Sequence, residues 1–375
     1  MKRLECLDGL RGLLAMYVLL NHLAPFAALP LWMIRPFSHG EAAVDVFFIL
    51  SGLVIVRSLE SFAWQPRPFL IARAARIFPV FLVMFAIAVP VQALPDDFAL
   101  LPWIGPHSPA FDIWSVGWPR AWLVEIVAHL TMTHGLIPDA VVPAVWISFL
   151  GSAWSLSTEW QFYVLALAVG ARIGPRWMIA AFLALGACGV AWSAIAPDGW
   201  AFSRAFLPNK AQYFALGIAG AALVRGGARA GWIYAATLGA SMVLCALQGG
   251  VEKLGVPAFW TLCLAGQLRP DAAGLAPIAR VLRSPVLLRL GALSYCIYLA
   301  NEPIQRVLGV VLAMLADGDA RWFTIVWLPA ALLLPLAAAA WLHAWIEMPA
   351  LRWGRAYARQ FPRESLRPRR ESLRP

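Results

Sequence analysis

The chain has 375 residues, 61% of them apolar and only 13% charged, with a net charge of +10 and a mean hydropathy of +0.71. A soluble domain is nearer half apolar and a quarter charged, so a soluble globular protein is excluded and one polytopic membrane unit remains. The arginines are spread between apolar runs rather than gathered on one stripe, which fits the basic bias of cytoplasmic loops and argues against a nucleic-acid surface.

Cys6, Cys188, Cys245, Cys263 and Cys296 are scattered without disulfide or metal spacing, so no bound metal is expected. Taken in order, the apolar runs predict an all-α fold of about ten transmembrane helices at 10–28, 43–58, 77–94, 155–171, 177–196, 211–224, 231–248, 256–268, 288–313 and 324–346. The eighth run is short for a span. The first run, preceded by Lys2 and Arg3, mimics a signal peptide, but Arg11 and His22 within it argue for a retained helix.

With the N-terminus inside, Arg67, Arg73, Arg76, Arg172, Arg176, Arg225, Arg229, Arg269, Arg280 and Arg283 all fall in inner loops or at their edges. The opposite loops, "LPDDF", "APDGW", "QGGVEK" and "ADGDA", are acidic or nearly neutral. Both termini are therefore expected in the cytoplasm. Residues 1–353 read as the membrane domain. Residues 354–375, with "RESLRP" twice, read as a basic, disordered cytoplasmic tail.

In "LDGLRGLLAMYVLLNHL", Arg11 and His22 are eleven residues apart. That is about three helical turns, so both lie on one face about 16 Å apart along the axis. Asp8 is placed to pair with Arg11, and Asn21 adjoins His22. An ionisable group inside a span is a functional candidate; the structural alternative has Arg11 snorkelling and His22 bonded to a neighbouring helix.

The second run, "DVFFILSGLVI", carries Asp45 near its outer end and Ser51 at its centre. No G-x-S-x-G surrounds Ser51, so the Ser-Gly pair reads as close packing before nucleophile. Arg73 and Arg76 in "RPFLIARAARIFP" share a helix face at the cytoplasmic mouth of the third span. They suit bidentate phosphate binding, or serve as topological anchors.

Segment 120–136, with Arg120, Glu125, His129 and His134, is expected as an interfacial or re-entrant helix on the outer side. His107 and Asp112 make an H-x4-D spacing that reads as coincidence in a Pro-rich loop. In "SAWSLSTEWQFY", Glu159 lies at or just inside the outer interface and Ser155 is placed to cap the helix.

The ordered set of Arg11-x10-His22, "VDVFFILSGLVI", "RAARIFP", "WSLSTEWQFY", "YFALGIAGA", "LGALSYCIYLANEPI" and "WIEMP" resembles the acyltransferase-3 family of integral-membrane O-acyltransferases. The resemblance spans almost the whole chain. Family members share a ten-span core and move acyl groups, often acetyl from acetyl-CoA, onto hydroxyls of surface polysaccharides, glycolipids, Nod-factor-like oligosaccharides or macrolide sugars. The chain departs from the family's Tyr-Leu-x-His-x-Pro at "YLANEP", where Asn301 stands for a histidine and can hydrogen-bond without relaying a proton.

The resemblance implies an enzyme of the inner membrane that uses acyl-CoA as donor substrate, with no bound cofactor, and a carbohydrate or glycolipid acceptor. His22 is expected as general base or acyl carrier, with Glu159 orienting it or holding the acceptor. Arg11, Arg73 and Arg76 are expected to hold acyl-CoA. Asp45, Ser51, Trp154, Ser155, Tyr163, Tyr295, Asn301 and Glu347 are expected along or supporting the substrate path. A transporter, or a membrane-bound O-acyltransferase of another family, is the alternative; the spans show no internal repeat of the kind many carriers have.

Overall fold

The computed structural model describes residues 4–94, 98–105, 108–114 and 117–361, and only the backbone of Asp112 and Arg176. His107 and most of the basic tail, including both "RESLRP" copies, lie outside the described residues.

Among the described residues the chain is all helix, with no strand. The α-helices are α1 Glu5–Leu23, α2 Leu31–Ile34, α3 Gly40–Ser61, α4 Pro66–Val91, α5 Ala110–Trp114, α6 Trp122–Leu130, α7 Trp154–Ile173 and α8 Pro175–Ile195. They continue as α9 Ala211–Arg225, α10 Ala230–Gly249, α11 Gly255–Leu268, α12 Ala276–Leu282, α13 Pro285–Ala316, α14 Ala320–Leu342 and α15 Met348–Ala358. Each apolar run read from the sequence contains a helix: α1, α3, α4, α7, α8, α9, α10, α11, α13 and α14.

Among the described residues, six segments are long and apolar enough to cross a membrane: Leu31–Ser61, Pro66–Val91, Trp177–Ile195, Ala230–Gly249, Pro285–Ala316 and Ala320–Ala358. The helix Ala211–Arg225 is apolar but shorter. The protein is thus a helical, polytopic membrane protein. At 14 residues, α11 reaches only about 21 Å and falls short of a roughly 30 Å hydrocarbon core. Helices α1 and α7 carry Arg11, His22 and Glu159, so polar chemistry lowers their hydropathy.

The bundle has a centre and a rim. The most apolar windows of α3 and α13 are 67% and 61% buried, whereas those of α8, α10 and α14 are 28% buried. Helices that are apolar all round and largely uncovered face lipid. At the centre, small residues let backbones touch. A Cβ on Gly52 of α3 would lie 2.3 Å from the Phe214 carbonyl oxygen of α9, and one on Gly217 would lie 2.0 Å from that of Ile49. A Cβ on Gly291 of α13 would lie 2.0 Å from the Asp8 oxygen of α1, and one on Gly12 2.3 Å from the Leu287 oxygen. Membrane helices associate through such close, small-residue contacts.

Two ends of the bundle follow from the contacts. At the end where α1 begins, the Cys6 amide donates to Gln267 at the close of α11, and Arg225 closing α9 pairs with Glu60 closing α3 at 2.8 Å. At the end where α1 finishes, Lys210 before α9 pairs with Glu41 and Asp45 at the start of α3. These are called the lower and upper ends below.

Three boundaries correct the sequence reading. Helix α4 begins at Pro66 rather than 77, so Arg73 and Arg76 lie two to three turns inside it instead of at its mouth. Helix α15 runs to Ala358, into the stretch expected as a disordered tail from 354. Ser155 does not cap α7; that helix starts at Trp154 without a side-chain cap.

Segment 120–136 folds as the nine-residue α6 and a 3-10 turn, too short to span. Its apolar side chains point outward, with Leu123 60% and Val127 59% exposed, while Glu125 and His129 are buried beneath. That inverted polarity fits an interfacial helix.

Candidate active site

Arg11 from α1 and Arg73 and Arg76 from α4 line one lower cavity of about 90 Å³. The i,i+3 spacing of the α4 arginines delivers both to it. Ser51, Glu159, Tyr163 and Tyr295 line the same space from α3, α7 and α13. Glu159 accepts from Ser51 Oγ at 2.7 Å and from the Tyr163 hydroxyl. Arg76 donates to Glu347 at 3.0 Å and lies over the Tyr295 ring at 5.7 Å. Arg73 donates to Ser58 Oγ and covers the Tyr163 ring at 5.1 Å. Among these groups three guanidiniums face two carboxylates. The local excess of positive charge suits an anion.

A second, upper cavity of about 510 Å³ holds His22, on the last turn of α1, with Trp146, Trp154, Arg204, Glu302 and Arg306. His22 Nδ1 lies 2.6 Å from Asn301 Oδ1 of α13. Glu302, the next residue, accepts from the backbone N–H groups of Gly151 at 3.0 Å and Ser152 at 2.9 Å. It thereby satisfies orphan donors ahead of α7. Arg204 lies over the Trp146 ring at 5.0 Å and pairs with Glu41 at 3.2 Å. Arginine, carboxylate and indole faces around one hollow of this size are the groups that hold polyhydroxylated molecules.

Val44 and Tyr298 line both cavities. Ser155 Oγ donates to the Tyr298 hydroxyl at 2.9 Å, and that hydroxyl donates to the Ser152 carbonyl at 2.9 Å. The arginine cavity and the histidine cavity therefore abut through a tethered phenol.

The expected site residues divide between the two cavities and the side chains that support them. Glu159, expected to orient His22 or hold the acceptor, lines the arginine cavity, and the side chain that His22 meets is Asn301. Asp45 lines neither cavity; it is fully buried and bonded to Lys210 Nζ at 2.7 Å. Trp154 lines the upper cavity and Ser155 the lower. Glu347 supports Arg76 from a π-helical turn, His343–Glu347, where its other oxygen takes His343 Nδ1 at 2.7 Å and Cys296 Sγ at 3.3 Å. Those three ligand atoms lie within 4.8 Å of one another. They are the one described cluster with metal-ligating chemistry, and its carboxylate is already engaged by Arg76. Tyr298, Glu302, Arg204 and Lys210 were not singled out from the sequence. Tyr298 stands three residues after Tyr295, a helical repeat that could have marked it.

A family model described as an acyltransferase domain, Acyl_transf_3, matches residues 4–344. The chain belongs to the acyltransferase-3 family. It is similar to a protein named Acyltransferase MdmB from Streptomyces mycarofaciens, 28% identical over 93% of this chain and 92% of that one. It is also 27% identical to Protein 2 in picA locus of Rhizobium radiobacter, over 47% of this chain and 84% of that one. No solved structure matches the chain. The family match makes this acyltransferase-3 chain a membrane acyltransferase, and both cavities lie within the matched residues.

Proposed function

We propose that the protein transfers an acyl group, acetyl first among candidates, from acyl-CoA to a hydroxyl of a carbohydrate-containing acceptor in the cell inner membrane. The observation that carries this reading is the junction of an arginine-lined cavity with a histidine-bearing one. On the charge pattern of the loops, the lower end faces the cytoplasm, where acyl-CoA is made, and ten helices cross with both termini inside.

Arg11, Arg73 and Arg76 receive the donor's phosphates at the lower end. Their fork geometry and fixed charge fit phosphate oxygens. The acyl-pantetheine arm enters past Tyr163 and Glu159 toward Tyr298, both tyrosines and the glutamate lining the lower cavity. The acceptor occupies the upper cavity among Trp146, Trp154, Arg204 and Arg306.

His22 Nε2 then takes the proton of the acceptor hydroxyl as its oxygen attacks the thioester carbonyl. The carbon–oxygen bond forms, the carbon–sulfur bond breaks, and the imidazolium returns its proton to the CoA thiolate. Products are the O-acyl ester and CoA thiol. Histidine is suited to both proton transfers near neutral pH.

The test is turnover by purified protein given labelled acetyl-CoA and candidate glycan acceptors, with His22→Ala beside it. Labelled ester from the wild type and none from the variant supports the reading. Ester from both removes His22 from the chemistry.

A further inference from the structure

We propose that Asn301 is a positioning residue that fixes the proton of His22 on Nδ1 and leaves Nε2 bare for the acceptor. This rests on the proposed role of His22 as base. A carboxamide has two N–H donors and one accepting oxygen. Both donors of Asn301 are spent on backbone carbonyls of its own helix, Ile297 at 3.0 Å and Tyr298 at 2.8 Å. Flipping the amide would set its oxygen against those two carbonyl oxygens. The oxygen must therefore face His22, where it lies 2.6 Å from Nδ1.

An oxygen that can only accept requires a hydrogen on Nδ1. A neutral imidazole carries one such hydrogen, so Nε2 is left with its lone pair. Asn301 is fully buried, so water does not compete for its oxygen in this arrangement. His22 Nε2 meets no protein partner among the described residues, and His22 lines the upper cavity.

The charged groups facing the ring across that cavity are already engaged. Glu41 binds Lys210, Lys253 and Arg204; Glu302 binds the Gly151 and Ser152 amides; Arg306 donates to the Leu94 carbonyl at 3.4 Å. None of these contacts offers Nδ1 a second acceptor. The same Nδ1–H bond persists when the ring becomes imidazolium, so proton uptake at Nε2 needs no rearrangement. In the opposite tautomer Nε2 would present a hydrogen to the acceptor and could not remove its proton.

The test combines a spectroscopic and a kinetic reading on the full-length protein in nanodiscs. Nitrogen NMR of histidine-labelled protein near pH 8 reports which ring nitrogen is protonated, and His22→Ala identifies the His22 signal. The wild type should show His22 protonated on Nδ1. Asn301→Ala should shift that population toward Nε2 and lower kcat about 10- to 100-fold with the acyl-CoA KM nearly unchanged. Asn301→Asp keeps an acceptor in place. It should restore most of kcat at alkaline pH while moving the acid limb of the rate profile to higher pH, because a carboxylate favours the imidazolium.

Protonation of wild-type His22 on Nε2 overturns the inference, as does an Asn301→Ala protein with wild-type tautomer and kcat. If Asn301→Ala does not fold, the wild-type spectrum and Asn301→Asp decide. The failure of the underlying reading looks different: Nδ1 protonated as expected, yet His22→Ala turning over normally.

Discussion

The Tyr298 hydroxyl accepts from Ser155 Oγ and donates to the Ser152 carbonyl, each at 2.9 Å, and its side chain separates the arginine cavity from the histidine cavity. Ser155 on α7 and Ser152 just ahead of that helix thus hold the α13 phenol at the point where donor and acceptor would meet. Tyr298→Trp should obstruct the passage and lower kcat by about tenfold or more, since a 1 Å misplacement at a reacting centre is enough for such losses. Tyr298→Phe breaks both hydrogen bonds but keeps the shape, and should cost less. Steady-state rates of the two variants check this ordering.

The arginine cavity makes a prediction about salt. Arg73→Ala and Arg76→Ala should each raise the acyl-CoA KM, and the lysine variants should recover only part, having lost the fork. Arg76→Ala also removes the guanidinium from the buried Glu347, leaving its Oε1 without that partner, so it should lower thermal stability more than Arg73→Ala does. Binding isotherms at two ionic strengths, with melting curves of each variant, separate the effects. Unchanged acyl-CoA affinity in both alanine variants would reduce these arginines to supports.

His129 and His134, in the upper-end segment outside the spans, stack with ring centroids 4.1 Å apart and are fully buried. Burial pushes His134 down to about 4 and His129 well below its ordinary value, with the neighbouring His134 ring adding to the latter. Both are therefore neutral when folded. Between about pH 6.5 and pH 4 the unfolded segment binds more protons, so stability rises with pH and is lost as pH falls through that window. Buried Glu125, raised by desolvation, opposes this, but it is one group against two. Hydrogen-exchange protection factors across 120–150, taken relative to the intrinsic amide rate at each pH, should fall on going from pH 7.5 to 5. Equal protection at both values would contradict the prediction.

Asp45 is buried at 0% exposure with Lys210 as its partner at 2.7 Å. Lys210→Met should destabilise the protein by about 3–5 kcal/mol, because it leaves a buried carboxylate uncompensated. Adding Asp45→Leu should recover most of that loss. Melting temperatures of the single and double variants in detergent measure both.

The helices were legible because a hydrocarbon-facing helix must be apolar along its length, and each run is. Their starts were less so. Arg67, Arg73 and Arg76 pulled the apparent start of α4 to 77, although Pro66 at its first turn is the kind of residue that opens a helix. Arg11, Arg73 and Arg76 were legible as one basic set. The partners of His22 and Glu159 were not. Both residues were given a similar depth, and depth along a helix says nothing about which neighbour lies beside it. Asn301 is 279 residues from His22, and Lys210 is 165 from Asp45. Only the crossing of α1 with α13 and of α3 with α9 brings them together.

The central claim is that an acyl group passes from the arginine end to the histidine end and meets its acceptor there. Protein reconstituted in sealed vesicles tests it most directly, with labelled acetyl-CoA confined to the side bearing the C-terminal residues and a membrane-impermeant glycan acceptor to the other. The account predicts labelled ester on the acceptor side and free CoA retained on the donor side, both abolished in His22→Ala. Ester formed only when acceptor and donor share one side would contradict it.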